Sequence, residues 1–248
     1  MRDLNMSESL WHGFSRLDFS FCDREAVLIF PEKAAAGRPW AQYTEYFDAF
    51  PATALGLVEQ GYHLAFLKNR HRWGNEEDYL LKQRFGVFLE EQYGLSQRTT
   101  LLGMSCGGMI AVHMAVRFPE TVEALYLDAP VMDLRSCPLA LGAARRDDAL
   151  VTECLEALGM TESELLAFRG NPLDKLPRLV AARIPVALVY GGRDLTVPYA
   201  ENGALLERAY KTAGCPIRVW KKPECGHHPH GLADPTPVIE QLERWRTQ

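Results

Sequence analysis

Gly-Met-Ser-Cys-Gly, at residues 103–107, is the most informative stretch of this chain. It matches the pattern G-x-S-x-G between an apolar run at residues 99–102, typical of a strand, and a helical pattern at residues 109–116. Glycines on both sides relieve crowding in a sharp strand-to-helix turn, because a Cβ would clash there. The pattern therefore predicts a strained turn that exposes the hydroxyl of Ser105 at the end of a strand.

Short apolar runs alternate with longer helical patterns over the rest of the chain. This alternation is typical of an α/β fold with a mostly parallel central sheet and helices on both faces. Strands are predicted at residues 17–22, 26–30, 63–68, 100–104, 124–128, 186–190 and 217–220, the first two as an antiparallel pair. Helices are predicted at residues 44–60, 76–93, 107–118, 173–182, 200–213 and 238–246. We expect a single α/β domain over residues 1–248.

One connection is longer than the others. About fifty-five residues separate the predicted strands at residues 124–128 and 186–190, far more than a minimal connection needs. Residues 138–170 within it are mostly helical in pattern, and we expect them to form a small lid insertion over the strand ends. The loop Arg-His-Arg-Trp at residues 70–73 follows an earlier strand, and it is either a solvated loop or part of a pocket rim.

Composition excludes several classes of partner. The formal net charge of -5 comes with both signs interspersed and provides no basic stripe for nucleic acid. No run is long enough to span a bilayer, and residues 1–14 lack the apolar core of a signal peptide. The six cysteines are widely spread without a CxxC pair, which favours reduced thiols. We expect a cytoplasmic protein that binds neither nucleic acid nor membranes; the sequence does not indicate an oligomeric state.

A carboxylate must accompany Ser105 if this serine is a nucleophile. A serine hydroxyl needs a general base, which a carboxylate in turn orients, and after such a turn the carboxylate precedes the histidine in the chain. Asp194 follows the predicted strand at residues 186–190 in a glycine-rich turn and is the candidate. The alternative interpretation is that Asp194 has a structural role, in a turn or as a helix cap. Asp128 and Asp133 are the alternatives for the carboxylate.

Three of the seven histidines, at positions 227, 228 and 230, lie in one turn after the last predicted strand. One of them is the expected base. His227 directly follows a glycine and is the candidate, with His228 as the main alternative. A transition-metal site is a further possibility because histidine is the commonest ligand of such metals. No second group of ligands accompanies the run and Pro229 restricts convergence, so we predict no metal and no cofactor.

With strand, serine turn, helix, aspartate turn and glycine-histidine turn in this order, the sequence resembles the α/β-hydrolase superfamily of serine hydrolases over nearly its whole length. It also resembles, more narrowly, compact bacterial esterases related to acetyl-xylan-esterase-like and prolyl-oligopeptidase-like enzymes. The stretches that carry this likeness are residues 31–40, 127–130, 226–232 and 234–237. The resemblance implies the α/β-hydrolase fold and favours His227 as the base. It also implies a second oxyanion donor in the loop after residues 26–30, at Lys33.

The expected reaction is hydrolysis of a small carboxylic ester through an acyl-enzyme. Ser105 attacks, His227 removes its proton, and Asp194 orients the imidazole, while the amides of Cys106 and Lys33 bind the oxyanion. A serine peptidase or amidase with the same residues is one alternative. A catalytically silent protein that binds a ligand in the same pocket is another.

Two cysteines depart from the closer relatives. Those sequences often carry Arg just after the nucleophile and Trp near the end of residues 133–138, where this chain has Cys106 and Cys137. The acyl and alcohol preferences therefore stay open. Cys106 is also an alternative nucleophile, but its place beyond the apex of the turn directs its side chain elsewhere.

Overall fold

Strands and helices alternate along residues 6–247, the part of the chain that the computed structural model describes. The strands are β1 (Ser7–Trp11), β2 (Phe14–Phe21), β3 (Arg24–Phe30), β4 (Trp40–Tyr43), β5 (His63–Leu67), β6 (Thr99–Met104), β7 (Val122–Asp128), β8 (Val186–Gly191) and β9 (Ile217–Lys222). The α-helices are α1 (Ala52–Glu59), α2 (Glu76–Tyr93), α3 (Cys106–Arg117), α4 (Asp148–Leu158), α5 (Glu162–Ala167), α6 (Leu176–Ala182), α7 (Gly203–Thr212) and α8 (Thr236–Arg246).

The strands form one sheet in the order β1-β2-β3-β5-β4-β6-β7-β8-β9. The first three strands pair antiparallel, and β3 is also antiparallel to β5, whereas β5, β4 and β6 to β9 run parallel to one another. Helices α1 and α8 pack on one face, and α2, α3, α6 and α7 on the other. The predicted mostly parallel sheet with helices on both faces is confirmed. The carboxyl ends of the parallel strands meet at one edge.

The region between residues 40 and 60 differs from the prediction. Strand β4 was not predicted, and the helix predicted at residues 44–60 begins only at Ala52. Tyr46, Asp48 and Phe50 have φ angles of 55°, 65° and 50°, which no α-helix accommodates. The chain therefore leaves β4 in an irregular loop. Because β4 lies beside β6, this loop reaches the edge of the sheet at which β6 ends.

Residues 138–170 contain α4 and α5, in agreement with their helical pattern. Val151 and Cys154 of α4 pack with Trp73 and Cys106 in a buried cluster. This segment therefore covers the carboxyl edge of the sheet next to the turn at residues 103–107. Whether it opens and closes as a lid stays a prediction.

The composition predicted that the chain has no membrane-spanning segment and that its cysteines are reduced. Within residues 6–247, the helices are all too short or too polar to cross a bilayer. All six cysteines are free thiols, and four of them are buried. Of the residues considered for a signal peptide, 1–5 lie outside the described part of the chain.

Candidate active site

Ser105 lies at the turn between β6 and α3. Its φ of 51° and ψ of -120° fall in a region that residues other than glycine rarely adopt. Backbone hydrogen bonds hold it there: its N–H donates to the carbonyl of Asp128 at 2.9 Å, and its carbonyl accepts from the N–H groups of Gly108 and Val131 at 3.0 Å each. The surrounding backbone thus fixes the serine in a strained conformation that directs its side chain away from the sheet.

Two glycines allow the close approach that this turn needs. A Cβ on Gly103 would lie 2.7 Å from the carbonyl oxygen of Gly107, and one on Gly108 would lie 2.8 Å from Cα of Pro130. Atoms of this kind do not approach so closely, and the neighbours are backbone that cannot move aside. The pattern of small residues therefore lets α3 start directly against β6 and the chain after β7.

The side chain of His227 connects Ser105 with Asp194. Its Nε2 lies 3.0 Å from Oγ of Ser105, and its Nδ1 lies 2.8 Å from Oδ2 of Asp194. The carboxylate fixes the tautomer, because Nδ1 must donate to it and Nε2 is then free to accept from the serine hydroxyl. The structure thus brings together the three side chains that the sequence singled out, in a hydrogen-bonded chain.

The environment of Asp194 keeps its carboxylate ionised. Burial acts to raise the pKa of Asp194, but the hydrogen bond from His227 and those from the amides of Val197 and Thr196 outweigh it and hold the pKa below its ordinary value. Both amides donate to Oδ1 at 2.8 Å, which leaves Oδ2 for the imidazole. This carboxylate is therefore fixed as an acceptor for Nδ1 of the histidine.

Two neighbouring turns carry the acid and the base. Asp194 follows β8 and His227 follows β9, and the turns are joined by a hydrogen bond of 2.8 Å from the Arg193 amide to the Cys225 carbonyl. They approach so closely that a Cβ on Gly191 would lie 2.7 Å from the same carbonyl oxygen. The parallel pairing of β8 and β9 therefore sets the distance between carboxylate and imidazole.

The alternatives for acid and base have other partners. Asp128 lies 3.1 Å from Nδ1 of His230 and 3.8 Å from Nζ of Lys222. Asp133 is paired with Arg135, which donates to both of its carboxylate oxygens. The ring of His228 stacks on Phe50 with a centroid distance of 5.5 Å. The structure does not place any of the three in the chain of hydrogen bonds to Ser105.

Cys106 begins α3, so its amide lies at a helix N-terminus next to the serine. Its side chain is 2% exposed, and burial raises the pKa of the thiol to about 11. A thiol with this pKa is almost entirely protonated at neutral pH and is therefore a poor nucleophile. The protonated, buried thiol argues against the alternative role of Cys106 as nucleophile.

Lys33 does not fit the oxyanion role that the resemblance implied. It follows β3, which runs antiparallel to β5, and a Cβ on Gly61, just before β5, would lie 2.8 Å from the Lys33 carbonyl oxygen. Lys33 is therefore at the amino edge of the parallel strands, whereas Ser105 is at the carboxyl edge. The prediction of Lys33 is wrong because it took the loop after β3 for the loop after the unpredicted β4.

The loop after β4 is the one that lies against the serine turn. The hydroxyl of Thr44 donates to the carbonyl of Gly107 at 2.7 Å, and a Cβ on Gly107 would lie 3.4 Å from the Glu45 amide nitrogen. Tyr46, the next residue, lines the same cavity as Ser105. The only local sequence signal for β4, and hence for this loop, is weak: Trp40 and Tyr43 are of residue types common in strands, whereas Ala41 and Gln42 are not.

A cavity of about 290 Å³ opens above Ser105. Its wall includes Arg72, whose guanidinium is paired with Glu153 of α4, so the loop at residues 70–73 contributes to a pocket rim. The indole N–H of Trp73 donates to the same carboxylate at 3.1 Å. The cavity is lined by Tyr46, Ala49, Phe50, Arg72, Met104, Ser105, Cys106, Cys137, Leu150, Thr196, His227, His228 and His230.

His227, His228 and His230 stand side by side in the wall of this cavity. Each offers a ring nitrogen, and these nitrogens lie within 4.8 Å of one another. Pro229 therefore does not keep the imidazoles apart, contrary to the argument made from the sequence. The three rings form a group with metal-ligand chemistry at the position of the base.

Comparisons with known proteins agree with this fold. The family model described as alpha/beta hydrolase fold matches residues 77–152. The acylamino-acid-releasing enzyme of Rattus norvegicus is 25% identical over 244 residues, covering 85% of this chain and 32% of that enzyme. The acylaminoacyl peptidase of Pyrococcus horikoshii superposes with a TM-score of 0.64 at 13% identity, over 99% of this chain and 41% of that one. The S-formylglutathione hydrolase of Agrobacterium tumefaciens also gives 0.64 at 13% identity, over 98% and 99% of the two chains.

The chain has the α/β-hydrolase fold, and both the predicted fold class and the predicted resemblance to that superfamily are confirmed. At 13% identity, the solved structures establish the fold alone. The chain spans about a third of the length of the curated relatives it matches. The curated relatives are acylamino-acid-releasing enzymes, whereas the structural neighbours include an acylaminoacyl peptidase and an S-formylglutathione hydrolase, so the comparisons do not fix a substrate for this chain.

Proposed function

We propose that this protein is a serine hydrolase that cleaves a small carboxylic ester through an acyl-enzyme. The observation that carries the proposal is the single imidazole of His227, held 3.0 Å from the Ser105 hydroxyl and 2.8 Å from the Asp194 carboxylate. A binding protein does not need this chain of hydrogen bonds. A hydrolase needs each part of it, because an isolated serine hydroxyl is a weak nucleophile.

The reaction has two halves. In the first, Ser105 Oγ attacks the carbonyl carbon as His227 Nε2 takes its proton, and the imidazolium then protonates the leaving alcohol as the ester C–O bond breaks. In the second, water attacks the acyl-enzyme with His227 again as base, and the acid is released as Oγ regains its proton. Asp194 stays ionised throughout and stabilises each imidazolium.

Two backbone amides are proposed to stabilise the tetrahedral oxyanion. The Cys106 amide has the helix N-terminus of α3 behind it, where the aligned peptide dipoles favour negative charge. We assign the second donor to the loop after β4. Within the start of that loop, Tyr46 lines the cavity, so we propose its backbone amide as the donor. Loss of one such donor typically costs roughly 10²- to 10³-fold in kcat.

The size and lining of the cavity favour a small acyl group. Its volume of about 290 Å³ is at the lower end of the range for small-molecule pockets. Cys137, Leu150 and Phe50 give it an apolar wall beside Ser105. A short acyl chain fills such a space, whereas a long chain would have to pass Leu150 of α4.

Cleavage of an amide or peptide bond is the second candidate. The similarity to acylamino-acid-releasing enzymes over 85% of the chain favours it. Both reactions use the same three side chains. The two candidates differ in leaving group, so the ratio of kcat/KM for a short-chain aryl ester to that for an acyl-aminoacyl arylamide with the same acyl group separates them.

The decisive test is Ser105→Ala, assayed with a short-chain aryl ester. If the three side chains act as a unit, kcat falls on the order of 10⁶-fold. Ser20→Ala, an exposed serine on β2, is the matched control and keeps the wild-type rate. A fluorophosphonate probe labels the wild type and the control but not Ser105→Ala. Ester hydrolysis that persists in Ser105→Ala would refute the proposal.

A further inference from the structure

The imidazoles of His227, His228 and His230 form a nearly equilateral group. Their ring centroids are 4.9, 4.8 and 5.0 Å apart, and the ring planes are inclined by 67° to 90° to one another. The rings therefore pack edge to face instead of stacking, and one ring nitrogen from each lies within 4.8 Å of the other two. All three line the cavity above Ser105, so an ion can reach them from solvent.

Two of these rings, those of His227 and His230, each have a carboxylate next to Nδ1. Nδ1 of His227 lies 2.8 Å from Asp194, and Nδ1 of His230 lies 3.1 Å from Asp128. A carboxylate on one ring nitrogen fixes the tautomer that leaves the other nitrogen free to coordinate, and metal-binding histidines almost always have such a partner. The hydrogen bond to Asp194 leaves Nε2 of His227 as its free nitrogen, and the position of Asp128 beside Nδ1 of His230 favours Nε2 as the nitrogen of His230 that would bind a metal ion.

The burial of His230 and its position beside Asp128 add a further observation. His230 is 8% exposed, and its Nδ1 and the facing Oδ1 of Asp128 both lack an aligned hydrogen bond despite their proximity. An unsatisfied buried pair of this kind is costly. A cation on the opposite nitrogen would polarise the ring and strengthen the interaction between Nδ1–H and the carboxylate.

We propose that a divalent transition-metal ion of the Zn²⁺ class binds His227, His228 and His230 and reversibly switches off the hydrolase. Tetrahedral Zn–N bonds of about 2.0–2.1 Å place ligand nitrogens about 3.3 Å apart, so the nitrogens, which now lie within 4.8 Å of one another, must approach by up to about 1.5 Å when the ion binds. The ion takes the lone pair of His227 Nε2, the atom 3.0 Å from Ser105 Oγ. Ser105 then has no general base. The ion binds the free protein, so no substrate is required for the inhibition.

The loss of activity rests on the proposed function, but the binding itself does not. The test therefore has two readouts on the full chain: titration calorimetry with Zn²⁺ alone, and the rate of aryl-ester hydrolysis with and without Zn²⁺. We expect one ion per chain, inhibition at the concentration at which it binds, and full recovery with a chelator. The exposed His228 can be replaced without disturbing the core, so His228→Ala is the main variant.

His228→Ala is expected to weaken Zn²⁺ binding at least tenfold and to shift the inhibiting concentration in parallel, each measured against the variant's own metal-free rate. His12→Ala removes an exposed histidine, and Cys22→Ser removes the exposed thiol; both should leave binding and inhibition as in the wild type. Ser105→Ala should still bind one ion. Unchanged Zn²⁺ affinity in His228→Ala, or loss of binding in Cys22→Ser, overturns the metal site. An inactive wild-type protein that nevertheless binds Zn²⁺ through His228 overturns the proposed function and keeps the site.

Discussion

Gly191→Ala tests whether the distance between two turns controls the chemistry. Gly191 ends β8, and its missing side chain leaves room for the turn that carries His227. A Cβ there would overlap the carbonyl oxygen of Gly226 and lie 2.7 Å from that of Cys225, against an ordinary contact of 3.4 Å. The Cys225 oxygen alone must move about 0.7 Å, and the nearer Gly226 oxygen further, so we take about 1 Å for the turn.

A shift of this size is large for a group held 3.0 Å from the serine hydroxyl and 2.8 Å from the carboxylate. Misplacement by about 1 Å can cost roughly 10²-fold, and we expect kcat/KM for an aryl ester to fall by about that factor. Overpacking should also destabilise the fold by about 1–3 kcal/mol, a drop in Tm of about 2–4 °C for each kcal/mol.

Gly226→Ala is the matched control, because it adds the same methyl group directly before His227. Its Cβ would meet its nearest neighbour, the carbonyl oxygen of Arg193, at 3.8 Å, which is ordinary van der Waals contact. We expect its rate to stay within a few-fold of the wild type. A folded Gly191→Ala variant with the wild-type rate, or a Gly226→Ala variant as impaired as Gly191→Ala, would refute the reasoning.

Three further perturbations address single groups. Asp194→Asn should lower kcat about 10⁴-fold, because the imidazole of His227 then takes the wrong tautomer. The folded pKa of Asp194 lies below its ordinary value of 3.8, so the ionised carboxylate stabilises the fold above pH 3.8, and this stabilisation is lost as the pH falls through the folded pKa. The difference in unfolding free energy between wild type and variant should therefore narrow below about pH 4. Cys106, with a pKa of about 11, should resist iodoacetamide at pH 8 while the exposed Cys22 reacts, and mass spectrometry that finds both modified equally fast would contradict its protected state. Asn75 accepts a hydrogen bond of 2.8 Å from the Asp78 amide at the start of α2, so Asn75→Ala should lower the free energy of unfolding by about 1 kcal/mol in urea denaturation, with ester hydrolysis unchanged.

The sequence was sufficient where a local pattern alone imposes the structure. Gly103 is required by contacts with Gly107 and Gly108, only a few residues away, so the strand, turn and helix could be predicted together. Asp194 and His227 could be predicted because each follows an apolar strand in a glycine-bearing turn. Parallel pairing of those strands then brings the two turns together without further information.

The sequence was insufficient where the environment comes from distant residues. Strand β4 has four buried residues, including the polar Gln42, and does not alternate between apolar and polar, so its pattern is that of neither a surface strand nor a helix. Missing it led to the choice of Lys33. The pairing of Asp128 with His230 joins residues 102 positions apart and leaves no local signal. Convergence of the three imidazoles likewise depends on backbone geometry that composition does not encode.

The strained backbone of Ser105 lowers the stability of the fold while it positions the hydroxyl for the proposed reaction. A residue with φ 51° and ψ -120° costs of order 1–3 kcal/mol unless it is glycine. Replacement of this serine by glycine would therefore remove the proposed nucleophile and relieve the backbone strain in one step. Selection for stability alone would favour glycine at position 105, so under the proposed function the serine is retained at the expense of stability.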